Sequence, residues 1–417
     1  MGAKYVNKVE DSTGYKKTKI GVLPSDWEVK KLSDVSCINR ESLNGNIEAD
    51  YEFYYYDLSC VDNGKIYKPN NKIKFKDAPS RARRVFQKND ILFSMVRPYL
   101  KGFAYIDFEC KDCICSTGFS VISSNKANDA KFIYYNLFGT VIENQVNKLL
   151  VGSNYPAINS SDVENLKIPY PKLDMEREKI GHILSTWDKA IELKEKLIEQ
   201  KKEQKKGLMQ RLLTGKVRFS GFDKEWRSVP IESVCELSMG KTPSRKVQKY
   251  WGKGHKWIAI SDMKDKYITN TQEEITDLAL KETGIQVIPK GTVIMSFKLT
   301  LGRLAITGED MYSNEAIVSF RIKNPDVLDY EFLYYYLSSI DITKYGSQAA
   351  KGITLNSDSL KEIMIKLPTK CEQIKIRDAL CFYDKEIDLL EQELEALKQQ
   401  KKGLMQLLLT GKVRVKC

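Results

Sequence analysis

Histidine is scarce in this chain, with only His182 and His255 among 417 residues. The sequence therefore gives no support for a histidine-based metal site or a Ser-His-Asp triad. The phosphate-binding pattern GxxxxGK[ST] is also missing, because Cys235 stands where the first glycine should precede Gly240–Thr242. No GxGxxG opens a predicted helix. From these absences we predict that the chain is not itself an enzyme and binds no cofactor.

Long hydrophobic runs are absent too, so the sequence predicts no membrane span. The opening residues MGAKYV lack the apolar core of a signal peptide. The nine cysteines are an odd number scattered singly, which favours reduced thiols in a cytoplasm over a disulfide framework. Cys110, Cys113 and Cys115 have a ligand-like spacing, but no second CxxC completes four ligands. Buried strand cysteines are favoured over a zinc site at this cluster.

Positive charge is what the chain has in excess. Lys and Arg number 67 against 55 Asp and Glu, for a net charge of +12. Such a balance predicts a polyanionic partner such as nucleic acid, although many basic proteins bind none. The length predicts two to four domains.

One fifteen-residue segment occurs twice. Gln204–Arg218 and Gln400–Arg414 differ only at Arg211 and Leu407, at an offset of 196 residues. The offset also holds through the residues that precede each segment. The chain is therefore predicted to be a tandem duplication of about two hundred residues.

Each repeat ends in a predicted long helix. Apolar residues alternate in steps of four and three, the spacing of a coiled-coil seam, and two such helices in one chain predict an antiparallel coiled coil. Gly207 and Gly403 within it are expected to mark a kink or a close helix approach. Lys194, Lys201 and Lys205 also occupy seam positions, either with their stems along the seam and their ammonium groups in water or as a basic face. The seam residues predicted to serve as spacer and docking surface are Ile180, Leu184, Trp187, Ile191, Leu208, Leu212, Ile376, Leu380, Tyr383, Ile387, Leu404 and Leu408.

Between the helices lie short runs rich in Val, Ile, Tyr and Phe that are separated by Gly, Asn, Asp and Pro, which is typical of strands and turns. The predicted fold class is α+β: two similar mixed, sheet-containing units and two long antiparallel helices related by a pseudo-two-fold repeat. The predicted boundaries are a polar arm over 1–20, a first unit over 21–170, a helix over 171–218, a second unit over 219–368 and a helix over 369–417.

Basic residues cluster once in each unit. In the first unit lysines alternate with Ile73 and Phe75, which on a strand puts the cations on one face. In the second unit the cluster lies on a Gly- and Pro-containing loop, where Ser244 and Arg245 are the more plausible readers of bases and Trp257 is predicted to be core. A solvated basic face is the alternative. The residues predicted to bind DNA are Lys72, Lys74, Lys76, Arg81, Arg83, Arg84, Arg97, Lys101, Lys241, Thr242, Ser244, Arg245, Lys246, Lys298 and Arg303.

These features together resemble the specificity subunits of type I restriction and modification systems. The resemblance is carried by the duplicated KKGLMQxLLTGKVR and by the segments that lead into the two long helices, IPYPKLDMEREKIGHIL and IKLPTKCEQIKIRDAL. It is also carried by PSRARR and DILFSMVRPYL in the first unit and by GKTPSR and WIAISDM in the second. The first copy departs from the second where Glu176 and Arg177 stand opposite Glu372 and Gln373.

The resemblance implies two target recognition domains, each of which reads one half-site of a split, asymmetric double-stranded DNA target. It implies that two modification subunits, which carry S-adenosylmethionine and methylate adenine, dock on the helices. Restriction subunits with ATP and magnesium join them to form the nuclease. Two alternatives remain open: a coiled-coil scaffold that reads no DNA, and a stand-alone nuclease or methyltransferase.

Overall fold

The computed structural model describes residues 6–8, 14–44, 46–150, 156–298, 300–349 and 352–416. The chain divides into two compact units. Unit 1 comprises residues 1–195 and 392–417, and unit 2 comprises residues 196–391. Each unit therefore contains one mixed domain, part of one long helix and part of the other.

The strands and helices of unit 1 are short up to the first long helix. They are β1 (Val6–Lys8), β2 (Tyr15–Thr18), β3 (Gly21–Pro24), β4 (Trp27–Lys31), α1 (Leu32–Val35), β5 (Ser36–Ile38), β6 (Glu52–Tyr56), β7 (Val61–Asp62), β8 (Lys65–Ile66), β9 (Ile73–Lys74), β10 (Ala82–Val85), β11 (Asp90–Ser94), β12 (Phe103–Tyr105), β13 (Cys113–Ser116), β14 (Phe119–Ser124), α2 (Ala130–Leu137), α3 (Thr140–Leu149), α4 (Ser160–Asn165) and β15 (Lys167–Pro171). The long helix α5 (Asp174–Leu213) begins in unit 1 and ends in unit 2.

Unit 2 repeats this order with insertions. Its elements are β16 (Arg227–Pro230), α6 (Ile231–Val234), β17 (Cys235–Met239), β18 (Trp251–Ile258), β19 (Tyr267–Ile268), β20 (Glu273–Ile275), α7 (Asp277–Thr283), β21 (Val293–Ser296), β22 (Leu304–Thr307), β23 (Tyr312–Ser313), β24 (Ile317–Ile322), α8 (Tyr330–Ser339), β25 (Ser347–Ala349), β26 (Gly352–Thr354), α9 (Ser357–Lys361) and β27 (Met364–Leu367). The helix α10 (Lys370–Leu408) begins in unit 2 and ends in unit 1, where β28 (Val413–Val415) follows it.

The two units share one sheet plan. The order β12-β11-β14-β5 in unit 1 recurs as β22-β21-β24-β17 in unit 2, where β19 adds a fifth strand. A parallel pair also recurs, as β6 with β13 and as β18 with β23. The two-stranded pairs β4–β15 and β16–β27 lie next to the long helices in sequence in both units. The predicted α+β class and internal repeat are confirmed by this shared topology.

Opposite charges join the two long helices within each unit. In unit 1, Lys194 Nζ lies 2.7 Å from Glu393, and Glu195 lies 2.9 Å from Lys398 Nζ. In unit 2, the Nζ atoms of Lys201 and Lys202 each lie 2.6 Å from Glu386 and Glu391, respectively, and Lys205 pairs with Asp384. In unit 1, Asp188 pairs with Lys401 whereas Lys194 pairs with Glu393, and in unit 2, Lys201 pairs with Glu386 whereas Lys205 pairs with Asp384. Higher numbers on α5 thus meet lower numbers on α10, so the helices run antiparallel in both units. The three seam lysines thus form ion pairs with α10, which differs from both arrangements expected for them.

The duplicated segment ends inside the core of each unit. Leu212 and Leu213 pack in the core of unit 2, and Leu408 and Leu409 pack in the core of unit 1. A glycine with positive φ follows each helix, at Gly215 (+73°) and at 411 (+67°), as the C-terminal stop signal predicts.

Gly207 and Gly403 lie inside uninterrupted helices. A Cβ atom added at either glycine would meet no atom within 4 Å. The predicted close helix approach at these glycines is therefore wrong.

All twelve predicted seam residues are buried or half-buried. Ile180 and Leu184 belong to the core of unit 1, and their equivalents Ile376 and Leu380 belong to the core of unit 2. The first turns of each long helix therefore pack on the domain that precedes them.

A disulfide joins Cys110 to Cys113. The expectations of reduced thiols and of unlinked strand cysteines are wrong for this pair, since the chain bends between the two residues and brings their Cα atoms to 5.8 Å. Cys115 is a free, buried thiol on β13, and burial raises its pKa. Among the described residues no group of His, Cys, Asp and Glu is placed to hold a metal ion. None of the helices described has the length and hydropathy needed to cross a bilayer.

Candidate nucleic-acid interface

The three lysines around β9 each face a carboxylate. Lys74 and Lys76 lie 3.2 and 2.9 Å from the same Asp50 oxygen, and Lys72 lies 2.9 Å from Asp112. The hydrogen bond from Lys76 and then that from Lys74 lower the pKa of Asp50. Strand β9 is only two residues long, so the lysines converge on these acids instead of lining one long strand face. All three side chains remain partly exposed at a surface where water weakens such pairs.

The arginines of the first cluster differ in how they are held. Arg81 is exposed, whereas the guanidinium of Arg83 stacks 5.0 Å from the ring centroid of Phe75. Arg84 is turned inward: it donates to Asn39 Oδ1 at 2.6 Å, to Ser160 Oγ at 3.1 Å and to a backbone carbonyl on β14. Burial lowers the pKa of Arg84. The Arg84 side chain therefore links three segments of unit 1 by internal hydrogen bonds.

The loop after β11 holds the last two cations of this cluster. Arg97 and Lys101 have left-handed backbone conformations, with φ of +48° and +55°. The Arg97 N–H donates to the Pro156 carbonyl at 2.9 Å, and Lys101 Nζ lies 3.3 Å from Glu143. Non-glycine residues in this region of φ are strained, and such positions are concentrated at functional sites.

The second cluster lies on the loop between β17 and β18, which is pinned to the sheets. The Lys241 N–H donates to the Ser313 carbonyl at 2.8 Å, and a Cβ atom at Gly240 would lie 2.2 Å from that same oxygen. Thr242 Oγ1 donates to Glu315. Trp257 is buried as predicted, and its indole N–H donates to the Lys241 carbonyl at 3.1 Å. The loop is therefore held in one place while its tip is exposed.

The tip carries the exposed Ser244, Arg245 and Lys246. The Arg245 guanidinium lies 3.7 Å from the ring centroid of Trp251 and forms a bidentate ion pair with Glu273. This hydrogen bond raises the pKa of Arg245 and lowers that of Glu273.

Two further cations of unit 2 lie around residue 299, which is outside the described residues. Lys298 and Arg303 are exposed, and Arg303 donates to the Ile260 carbonyl at 3.1 Å. Nothing in the sequence pattern predicted the acidic partners of the two clusters, which are Asp50, Asp112 and Glu273. No local signal marks them, because each lies more than twenty residues from the cation it meets.

The same bidentate Arg–Glu ion pair, here called the clasp, anchors the segment after each long helix. In unit 1, Arg414 donates to both oxygens of the buried Glu176, at 2.6 and 2.9 Å, and the Trp27 indole N–H lies 3.3 Å away. In unit 2, Arg218 donates to both oxygens of Glu372 at 2.9 and 2.8 Å, and Trp226 lies 3.1 Å away. The repeated cations at these positions are therefore structural.

The sequence matches a known protein family and several named relatives. Residues 24–202 and 223–399 each match the family described as type I restriction modification DNA specificity domain. A chain of Methanocaldococcus jannaschii named as the specificity subunit of type I restriction enzyme MjaX is 27% identical over 432 residues, which cover 96% of this chain and 97% of the relative. The HindI specificity subunit of Haemophilus influenzae is 24% identical over 431 residues, which cover 83% and 90% of the two chains.

Solved structures share the fold. A chain from a structure on complex assembly and conformational transition of the type I R-M system aligns with a TM-score of 0.65 at 24% identity, covering 94% of this chain and 99% of the other. The HsdS subunit from Thermoanaerobacter tengcongensis aligns with a TM-score of 0.50 at 25% identity, covering 94% and 98%.

Proposed function

Because the chain belongs to the type I restriction modification DNA specificity family, we propose that its two units each read one half-site of a split, asymmetric DNA target. Subunits of this family recognise DNA sequence and leave catalysis to their partners. The observation that carries the proposal is that the two family matches fall on two domains with the same sheet order but different basic loops. A common scaffold with unlike loops suits two unlike half-sites.

The target recognition domains of this proposal extend over 21–170 and 219–368, with spacer helices over 171–218 and 369–417. The reading surface comprises the two basic clusters. Arg81, Ser244 and Lys246 are exposed members of these clusters, so their side chains can meet DNA directly. Phosphate contacts from the other lysines would supply most of the affinity, which should then fall steeply with salt.

The test is to express the chain with its modification subunits and to sequence methylated adenines across a genome. Recovery of one split motif supports the proposal, whereas a continuous palindrome or no motif refutes it. Replacing residues 21–165 with the matching segment of another specificity subunit should change one half-site and leave the other unchanged. A change in both half-sites would contradict the assignment of one half-site to each unit.

We also propose two equivalent docking surfaces for two modification subunits on the long helices. Leu193 on α5 and Leu389 on α10 occupy the same position of the repeat, and their side chains are 54% and 57% exposed. Two large apolar side chains left exposed at equal positions of the repeat suit one partner that binds twice. In this proposal S-adenosylmethionine binds to the modification subunits, and ATP and magnesium bind to the restriction subunits. The complex assembles in the cytoplasm.

The docking test uses Leu193→Asp and Leu389→Asp, measured by native mass spectrometry of the assembled complex. Each variant is expected to lose one modification subunit, and the double variant should lose both. Phe382→Asp is the matched control, because Phe382 is 64% exposed on α10 but has Thr186 at the equivalent position of α5. Complexes of unchanged mass for both leucine variants would contradict the proposal.

A further inference from the structure

The contact between Arg245 and Glu273 fills the arginine's hydrogen-bonding fork. Nη2 donates to Oε2 at 2.7 Å, and Nη1 donates to Oε1. The flat face of the guanidinium lies on the Trp251 ring, 3.7 Å from its centroid. The two nitrogens that would read a guanine edge end-on are thus already occupied by a carboxylate of the same unit.

The platform beneath Arg245 is held by ring packing and hydrogen bonds. Trp251 meets the buried Trp257 edge to face, with ring centroids 4.9 Å apart. The Trp251 indole N–H lies 3.4 Å from the Ser244 carbonyl, and Trp257 holds the loop at Lys241. The backbone of the loop is therefore fixed on both sides, so the head of the Arg245 side chain can exchange partners without moving the loop.

The ion pair itself is exposed enough to exchange. The side chains of Arg245 and Glu273 are 54% and 40% exposed, so water and ions screen their attraction and another acceptor can reach the guanidinium. An open hollow of about 360 Å³, lined by Trp251, Lys253 and residues 271–274, adjoins the pair. Arg84 of unit 1 is the contrast, because its guanidinium is turned inward on three internal acceptors.

We infer that Glu273 is a specificity-determining residue of unit 2 that competes with the DNA for Arg245. Guanine presents two acceptors, O6 and N7, in the major groove and can replace both bonds that Glu273 supplies. Adenine presents one acceptor beside a donor, so Arg245 would exchange two hydrogen bonds for one. Glu273 therefore holds Arg245 back from every base pair that lacks this acceptor pair. The inference rests on the proposed DNA-reading function of unit 2.

The test is Glu273→Gln in the full chain assembled with its modification subunits. The probes are duplexes that carry the motif recovered by methylation sequencing, with each base pair of the half-site read by unit 2 replaced in turn. The variant should bind the cognate duplex more tightly, because Arg245 no longer has to leave a carboxylate, while binding to duplexes mismatched at one G·C pair changes less. Discrimination at that pair should rise by up to roughly tenfold, within the range that one bidentate contact to a base supplies.

Glu274→Gln is the matched control for charge. It removes the same charge one residue away and keeps an acceptor for the Gly254 N–H, which lies 2.7 Å from Glu274. This control should shift cognate and mismatched binding equally. In an Arg245→Lys background, Glu273→Gln should no longer alter discrimination, because lysine has no fork to release. Unchanged discrimination in Glu273→Gln, or the same change of discrimination in the Glu274→Gln control, overturns the inference.

Discrimination at the half-site read by unit 1 distinguishes a failure of the proposed function from a failure of the inference about Glu273. A wild-type complex that discriminates at neither half-site refutes the proposed function. A wild-type complex that discriminates at both, with Glu273→Gln unchanged, refutes the inference alone. If Glu273→Gln loses discrimination at both half-sites through misfolding, Glu273→Asp replaces it, since the shorter carboxylate keeps the charge but reaches Arg245 less well. Discrimination in Glu273→Asp that equals that of the wild type then overturns the inference.

Discussion

Replacing Arg414 by alanine is expected to loosen unit 1 and to leave unit 2 unchanged. Arg414 is 27% exposed and makes four hydrogen bonds: two to Glu176, at 2.6 and 2.9 Å, and two to Asp26, at 2.9 and 2.8 Å. Glu176 is only 1% exposed. Without Arg414, its carboxylate keeps just the Trp27 indole N–H, 3.3 Å away.

The cost follows from leaving a buried charge without its partner. Removal of one member of a buried ion pair destabilises by about 3–5 kcal/mol, and the partial exposure of Arg414 favours the lower end of that range because water can enter. A loss of about 3 kcal/mol corresponds to roughly a hundredfold increase in the population of molecules in which unit 1 is locally unfolded. The double variant Glu176→Gln/Arg414→Ala should recover part of this loss, because it removes the buried charge as well.

Hydrogen exchange followed by mass spectrometry resolves the two units. Exchange in peptides that cover β4 should accelerate about a hundredfold in Arg414→Ala, while peptides that cover β16 should be unchanged. Arg218→Ala supplies the reciprocal control, because Arg218 clasps Glu372 in unit 2. Unchanged exchange in β4, or equal acceleration in both units, would refute the reasoning.

Three further substitutions have defined outcomes. Gly240→Ala should destabilise unit 2 by about 1–3 kcal/mol in urea unfolding, because its Cβ would overlap backbone oxygens at 2.2 and 2.3 Å; an unchanged midpoint would contradict this. Gly207→Ala should raise stability by about 0.5–1 kcal/mol in thermal unfolding, since the added methyl meets no atom within 4 Å; a loss would show a contact there. The free energy of unfolding of Asp90→Asn should rise relative to that of the wild type as the pH increases above 3.8. Burial raises the pKa of Asp90, so its ionisation favours the unfolded wild type; parallel pH profiles of the two proteins would argue against this.

The repeat shows how far local patterns reach. The near identity of Gln204–Arg218 and Gln400–Arg414 predicted the duplication, and helical periodicity predicted both long helices. Gly215 and Gly411 ended them as expected, because only the left-handed conformation of a glycine is needed to stop a helix. Such features depend on residues a few positions apart, and the sequence displays them directly.

The charges show where local patterns stop. Counting cations identified both basic clusters, but the sequence could not show that Arg84 turns inward or that Glu273 fills the fork of Arg245. An alternation of Lys with Ile and Phe also suggested a longer strand than the two residues of β9. These outcomes depend on which distant carboxylates and amides the fold brings close.

The sequence by itself therefore determined the repeat, the helices, the α+β class and the excess of basic residues. The tertiary structure alone decided the division of each long helix between two units, the ion pairs of Arg414 with Glu176 and of Arg218 with Glu372, and the distant partners of the paired cations in the two basic clusters. The physical reason is range. Helix periodicity and turn chemistry act within a few residues, whereas ion pairs and burial are set by groups that meet only once the chain has folded.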